Sequence, residues 1–136
     1  MTHLQKNHHP LRQIAIWVDH REAILAFFEN AHLLREEELF SEAGSRTHGG
    51  GWSQKRIEAH RHAVLDHFYE EILHELTGAD QVILYGPGQA KHELEHHINH
   101  NKALSAHVIA VTTTDKMSDY ALAHQALKDF TLANPQ

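Results

Sequence analysis

Apolar and polar positions along the chain predict eight elements of secondary structure. Three short runs near the start combine β-branched and aromatic residues and are separated by turn residues, which is typical of sequential antiparallel strands. A longer segment with apolar residues at spacings of three, four and seven predicts a helix. The predicted elements are strands at 14–18, 23–28 and 32–40, a helix from 53 or 55 to 77, a strand at 82–85, a helix at 89–99, a buried strand at 104–112 and a helix at 119–132.

The fourth strand is the predicted centre of the sheet. Val82–Tyr85 are four apolar residues without alternation, which indicates a strand covered on both faces. The turn that follows it, Gly86, Pro87 and Gly88, opens a helix at the carboxyl end of that strand, where open α/β sheets usually keep their sites. This turn and Lys91 are therefore a candidate anion site. The segment lacks the Gly-Lys-Ser/Thr end of a nucleotide P-loop, so NTP hydrolysis is not predicted.

The order of the elements predicts an α/β fold. Right-handed crossovers place the last two strands parallel to the first, in a mixed five-stranded sheet of order 3-2-1-4-5 flanked by three helices, which is a ribonuclease-H-like arrangement. A length of 136 residues fits one domain, predicted over residues 11–133, with residues 1–10 as a flexible arm. Residues 35–38 also fit a helical pattern, although a half-exposed edge strand is the preferred interpretation.

Residues 41–55 lack periodicity and predict a long loop. Three consecutive glycines lose too much backbone entropy to lie inside a helix or strand, so they favour a position where the backbone approaches another molecule. A functional loop is preferred over a simple linker. The candidate contact residues in and beside this loop are Gly49, Gly50, Gly51, Trp52, Ser53, Lys55 and Arg56.

Composition narrows the classes of function. The formal net charge of −6 argues against tight nucleic-acid binding by the whole surface, although local basic patches remain. The 16 histidines would turn the net charge positive below about pH 6.5. The chain has no cysteine, no apolar run near the roughly 20 residues of a membrane span, and a polar N-terminus, so a cytoplasmic protein without a membrane partner is expected.

Two constellations could carry metal chemistry. His92–His96 matches the letters of a His-Glu-x-x-His zinc motif, but in a chain this rich in histidine a solvated histidine face is the preferred interpretation. Asp19 ends the first strand and Asp115 follows the last predicted strand, so they form an alternative acidic site for a two-metal nuclease. Turn and cap roles are preferred for both aspartates, and neither a metal nor a cofactor is predicted.

Several stretches together resemble a known family. Gly50–Arg56 at the head of the long helix, Trp17–Arg21 and Val82–Leu94 resemble the middle domain of archaeal and eukaryotic class-1 peptide release factors and of Pelota. The chain looks closest to short single-domain bacterial proteins labelled translational machinery proteins. In release factors this loop carries Gly-Gly-Gln, whose glutamine helps water to hydrolyse peptidyl-tRNA. Gly50 and Gly51 match the glycines, whereas Trp52 occupies the glutamine position, so the resemblance implies the fold without the catalytic amide.

The main hypothesis is a translation-associated, non-enzymatic domain that contacts ribosomal or transfer RNA through the glycine-rich loop. Trp52 would stack on a base, and Lys55 and Arg56 would contact phosphates. Two alternatives stay open. One is an enzyme on the same fold, either a metal-dependent nuclease or a ribosome-dependent hydrolase, and the other is a protein-interaction or homo-oligomeric module without an RNA role.

Overall fold

The computed structural model describes residues 9–42 and 53–135. The elements follow the predicted order of three strands, then helix, strand, helix, strand and helix. Their bounds are β1 Arg12–Val18, β2 Glu22–Glu29, β3 His32–Phe40, α1 Gln54–Glu75, β4 Gln81–Gly86, α2 Ala90–His100, β5 His107–Thr113 and α3 Asp119–Ala133. Residues 49–52, which include most of the predicted contact loop, lie outside the described residues.

The strands form one mixed sheet in the order β3-β2-β1-β4-β5, as predicted. β1 and β3 each pair with β2 in the antiparallel sense, which confirms the interpretation of residues 35–38 as strand. β1 and β5 pair with β4 in the parallel sense. The sheet is therefore a three-stranded antiparallel half joined to a parallel half, and the carboxyl ends of β1, β4 and β5 meet at one edge.

The two faces of the sheet bury two separate apolar clusters. On one face, α1 and α2 cover residues such as Ile16 and Leu84. On the other face, α3 covers Trp17, Ile83 and Tyr85. All four residues of Val82–Tyr85 are buried, which confirms that β4 is covered on both faces. Because β4 lies beneath helices on both sides, the turn that follows it is held by packed elements.

The fifth strand differs from its prediction. It spans His107–Thr113 rather than 104–112, and the expectation that it is buried was wrong because most of its residues are exposed. β5 lies at the edge of the sheet, and α3 packs across β1, β2 and β3 on the far side of β4. One face of β5 therefore has α2 against it, and the opposite face has no helix among the described residues.

Candidate nucleic-acid interface

The first half of α1 has no buried residue. Ser53 is the N-cap, and its hydroxyl accepts a hydrogen bond from the backbone N–H of Arg56 at 3.1 Å. Lys55 and Arg56 are exposed in the first turn. None of the residues from Gln54 to Ala63 is buried, and the buried positions of this helix begin at Leu65. Ser53 thus caps the start of α1, and this part of the helix buries no side chain.

The two halves of α1 differ in charge as well as in burial. Its first half carries three basic residues, Lys55, Arg56 and Arg61, against one acidic residue, Glu58. The second half is acidic through Asp66, Glu70, Glu71 and Glu75. In a chain of net charge −6, this places a local basic segment where the helix is most exposed. Exposed basic side chains at a helix N-terminus are the elements from which phosphate contacts are built.

The turn after β4 is built differently. A Cβ at Gly86 would overlap with the backbone carbonyl oxygen of Val18, so the turn passes too close to β1 for any residue but glycine. The Gly86 carbonyl accepts a hydrogen bond from the backbone N–H of Thr114 at 3.0 Å. Pro87 and Gly88 are exposed. The turn is therefore fixed by its neighbours at both the β1 side and the β5 side.

Lys91 closes this turn from inside. Its side chain is buried, and the ammonium group donates a hydrogen bond to the carbonyl oxygen of Gly88 at 2.7 Å. A charge buried in this way needs polar partners close by, and the turn carbonyl is one. In this geometry the ammonium group stabilises the turn. A contact with a phosphate would require it to extend into solvent instead.

A polar network that the sequence did not predict joins α1, α2 and the β1–β2 turn. The Tyr69 hydroxyl donates a hydrogen bond to Glu93 Oε1 at 2.6 Å, and His20 Nε2 lies 3.0 Å from the same oxygen. Burial and the hydrogen bond to Glu93 raise the pKa of the Tyr69 phenol well above its usual value. Tyr69 therefore stays protonated and serves as a donor across the physiological range.

The network borders a groove of about 380 Å³ between α1 and α2. His97 lies 3.4 Å from carboxylate oxygens of both Asp66 and Glu70 on α1. The groove is lined by His62, Leu65, Asp66, Tyr69, His92, Glu93, His96 and His97. Within residues 9–42 and 53–135, no group of three or more histidine or carboxylate side chains is arranged to hold a metal ion. The residues His92–His96, which match the zinc motif by sequence, therefore do not form such a group.

The two aspartates of the alternative acidic site have structural partners. Asp19 Oδ1 accepts hydrogen bonds from the backbone N–H groups of Arg21 and Glu22 at 2.8 and 2.9 Å, which is the geometry of a side-chain-stabilised turn. The backbone carbonyl of Asp115 accepts a hydrogen bond from the Trp17 indole at 3.0 Å. The Asp19 carboxylate is thus oriented by its own turn, as the preferred interpretation of the sequence expects.

The structure separates the predicted sites. Leu65 and Tyr69 of α1 reach the groove beside α2, whereas Lys55 lies ten residues before Leu65, roughly 15 Å away along the helix axis. The exposed start of α1 at Lys55 is therefore separate from the groove, and the turn at Gly86–Gly88 is not part of the groove lining. No described helix is both long and apolar enough to cross a lipid bilayer.

Comparison with known proteins gives one matching family and several similar solved structures. A family model described as "Bacterial archaeo-eukaryotic release factor family 10" matches residues 8–131. No curated protein sequence matches the chain significantly.

Among solved structures, the Pelota protein of Thermoplasma acidophilum superposes with a TM-score of 0.59 at 13% identity, covering 91% of this chain and 33% of that one. An archaeal translation termination factor superposes with a TM-score of 0.55 at 17% identity, covering 90% and 38%. At such identities the likeness shows the fold. The chain spans about a third of the length of both proteins.

Proposed function

Because the chain belongs to bacterial archaeo-eukaryotic release factor family 10, we propose that it acts in translation by contacting ribosomal or transfer RNA. The family match over residues 8–131 is the observation that carries this proposal. The fold shared with Pelota and an archaeal termination factor supports it. A cytoplasmic location and a ribosomal partner belong to the same proposal.

The contact surface in this proposal is the loop Gly49–Trp52 together with the start of α1. Lys55 and Arg56 are exposed on the half of α1 that lacks buried residues, so they can approach a phosphate backbone without disturbing the core. Trp52 immediately precedes the Ser53 cap and would stack on an unpaired base.

We propose binding rather than hydrolysis at this loop. In release factors the residue after the two glycines is the glutamine that assists water, and here Trp52 occupies that position after Gly50 and Gly51. An indole cannot replace a side-chain amide as both donor and acceptor, since its single N–H only donates. Gly50 and Gly51 match the glycines of that motif, so the sequence retains both glycines and lacks the amide that hydrolysis requires.

Ribosome cosedimentation through sucrose tests the proposal. The chain should sediment with ribosomes at low salt and less at moderate salt, because binding through phosphates releases counterions. Trp52→Ala should weaken binding at both salt concentrations through the loss of stacking. Lys55→Ala combined with Arg56→Ala should weaken binding and also flatten its salt dependence, since two phosphate contacts are removed.

A matched control separates local contact from overall charge. Lys102→Ala combined with Lys128→Ala removes the same charge from two exposed positions away from the loop. This variant should sediment with ribosomes as the unaltered chain does. Equal weakening by the control would reject the loop as the contact surface, and absence of cosedimentation in every condition would reject the ribosome as the partner.

A further inference from the structure

β5 is an open edge of the sheet. It pairs with β4 on one side, and in the part of the chain that the structure describes no strand pairs with its other side. Its seven residues, His107–Thr113, contain no Asp, Glu, Lys, Arg or Pro and are mostly β-branched. An uncharged edge strand of this length presents a row of backbone N–H and C=O groups that can accept another strand.

On the face of the sheet that carries α3, no helix or strand of the described residues covers β5. Ala110 pairs with Ile83 and Thr112 pairs with Tyr85, so these four residues lie on the same face of the sheet. Ile83 and Tyr85 are buried under α3, whereas Ala110 and Thr112 are exposed. On this face, the residues that α3 covers therefore end at β4. The small uncharged side chains of Ala110 and Thr112 on β5 are exposed beside them.

The opposite edge of the sheet, β3, carries charged residues that oppose pairing with another strand. β3 carries four consecutive charged residues, Arg35–Glu38. Self-association through β3 would bring runs of glutamate against each other, and like charges across a strand pair are destabilising. Charged residues on an edge strand are a common means of preventing association. β5 has none of them, so the two edges of the same sheet differ in the feature that controls pairing.

We propose that β5 pairs antiparallel with β5 of a second copy of this chain, so that two sheets form one continuous ten-stranded sheet about a two-fold axis. A second copy fits because the strand is complementary to itself. In a two-fold register centred on Ala110, Val108 faces Thr112 and Ile109 faces Val111, so uncharged β-branched residues pair with one another and stabilise the contact. This interaction is independent of the RNA contact proposed above, which uses α1.

Sedimentation velocity over a range of concentrations measures the association directly. The full chain should shift from monomer to twice the monomer mass as concentration rises, in a weak equilibrium because a single strand pair is a small interface. Ala110→Lys combined with Thr112→Lys places lysines on the open face of both copies. Repulsion between them should weaken dimerisation about tenfold or more.

Two further samples identify the surface. Leu33→Lys combined with Leu34→Lys adds the same charge to exposed positions of the opposite edge, and it should leave the dimer unchanged. Ala110→Glu combined with Thr112→Glu should be monomeric alone and should form mixed dimers with the lysine variant, because the charges are then opposite. A misfolded variant would not be rescued in this way.

The proposal fails under three results. The full chain could remain monomeric at every concentration. The lysines on β5 could leave the dimer unaffected. The lysines on β3 could weaken it as much as those on β5, which would place the interface at the other edge.

Discussion

The starts of α1 and α2 differ in how soon each helix packs against the rest of the fold. α2 buries its first two residues, Ala90 and Lys91, as soon as it leaves the turn after β4. α1 reaches its first buried residue, Leu65, only after three turns. The start of α2 is fixed by packing, whereas the start of α1 has the Ser53 cap and no buried side chain. The glycine-containing turn before α2 is therefore a structural feature of the core, whereas the exposed start of α1 is accessible to a partner.

The largest expected effect contrasts apolar residues of the two helix starts. Leu94→Ala in α2 removes a fully buried side chain and should lower the free energy of unfolding by about 3 kcal/mol, through lost burial and a cavity. Ile57→Ala in α1, whose side chain is only half-buried, should cost well under about 1 kcal/mol. Urea unfolding followed by circular dichroism measures both. Equal losses would mean that the start of α1 is packed after all.

Glycines in the turn before α2 provide a second contrast. Gly86→Ala should lower the free energy of unfolding by about 2 kcal/mol, because the new Cβ meets the Val18 carbonyl and the backbone of β1 has to move. Gly88→Ala is the matched control, since a Cβ there has no atom within 4 Å. The same urea measurement should show almost no change for the control. A tolerated Gly86→Ala would contradict the close packing of the turn.

The sheet order was predictable because the alternation of strands and helices, with right-handed crossovers, leaves few arrangements. The exposure of β5 was not, because a run such as Val108–Val111 has the same pattern at the centre of a parallel sheet as at its edge. The bond between Tyr69 and Glu93 joins residues 24 apart in sequence and left no local signal. Tyr69 does lie on the apolar face of α1 with Leu65 and Ile72, which indicated burial without naming a partner.

Tyr69→Phe tests the bond that links the packed half of α1 to the start of α2. Loss of a hydrogen bond to a carboxylate should cost about 1.5 kcal/mol. The folded pKa of Tyr69 is raised, whereas in the unfolded chain the phenol ionises near pH 10. Its contribution is therefore fully present below about pH 10 and decreases above it, because the unfolded chain then releases a proton that the folded one keeps.

Urea unfolding at a series of pH values separates these two effects. The unaltered chain should lose stability more steeply than Tyr69→Phe as pH rises past 10. Tyr85 has the same kind of bond, from its hydroxyl to Asp129 at 2.7 Å, and also has a raised pKa, so Tyr85→Phe is the control for a phenol away from α1. Parallel curves for the unaltered chain and Tyr69→Phe would contradict the buried donor.

The smallest global effect is expected at the cap of α1. Ser53→Ala removes the acceptor for the Arg56 N–H, which typically costs about 1 kcal/mol of helix stability. Because the residues from Gln54 to Ala63 have no buried side chains, this half of the helix can open without unfolding the sheet. The loss should therefore appear in local opening and hardly at all in the global free energy of unfolding.

Hydrogen exchange resolves where that loss occurs. Amides of residues 57–60 should exchange roughly fivefold faster in Ser53→Ala, which corresponds to about 1 kcal/mol of easier opening. Amides near Phe68 and Ile72 should be unchanged, since their side chains are buried against the sheet. Faster exchange along the whole of α1 would show that the helix opens as one unit. In that case the exposed start would depend on the packed half, and the two helix starts would differ less than their burial implies.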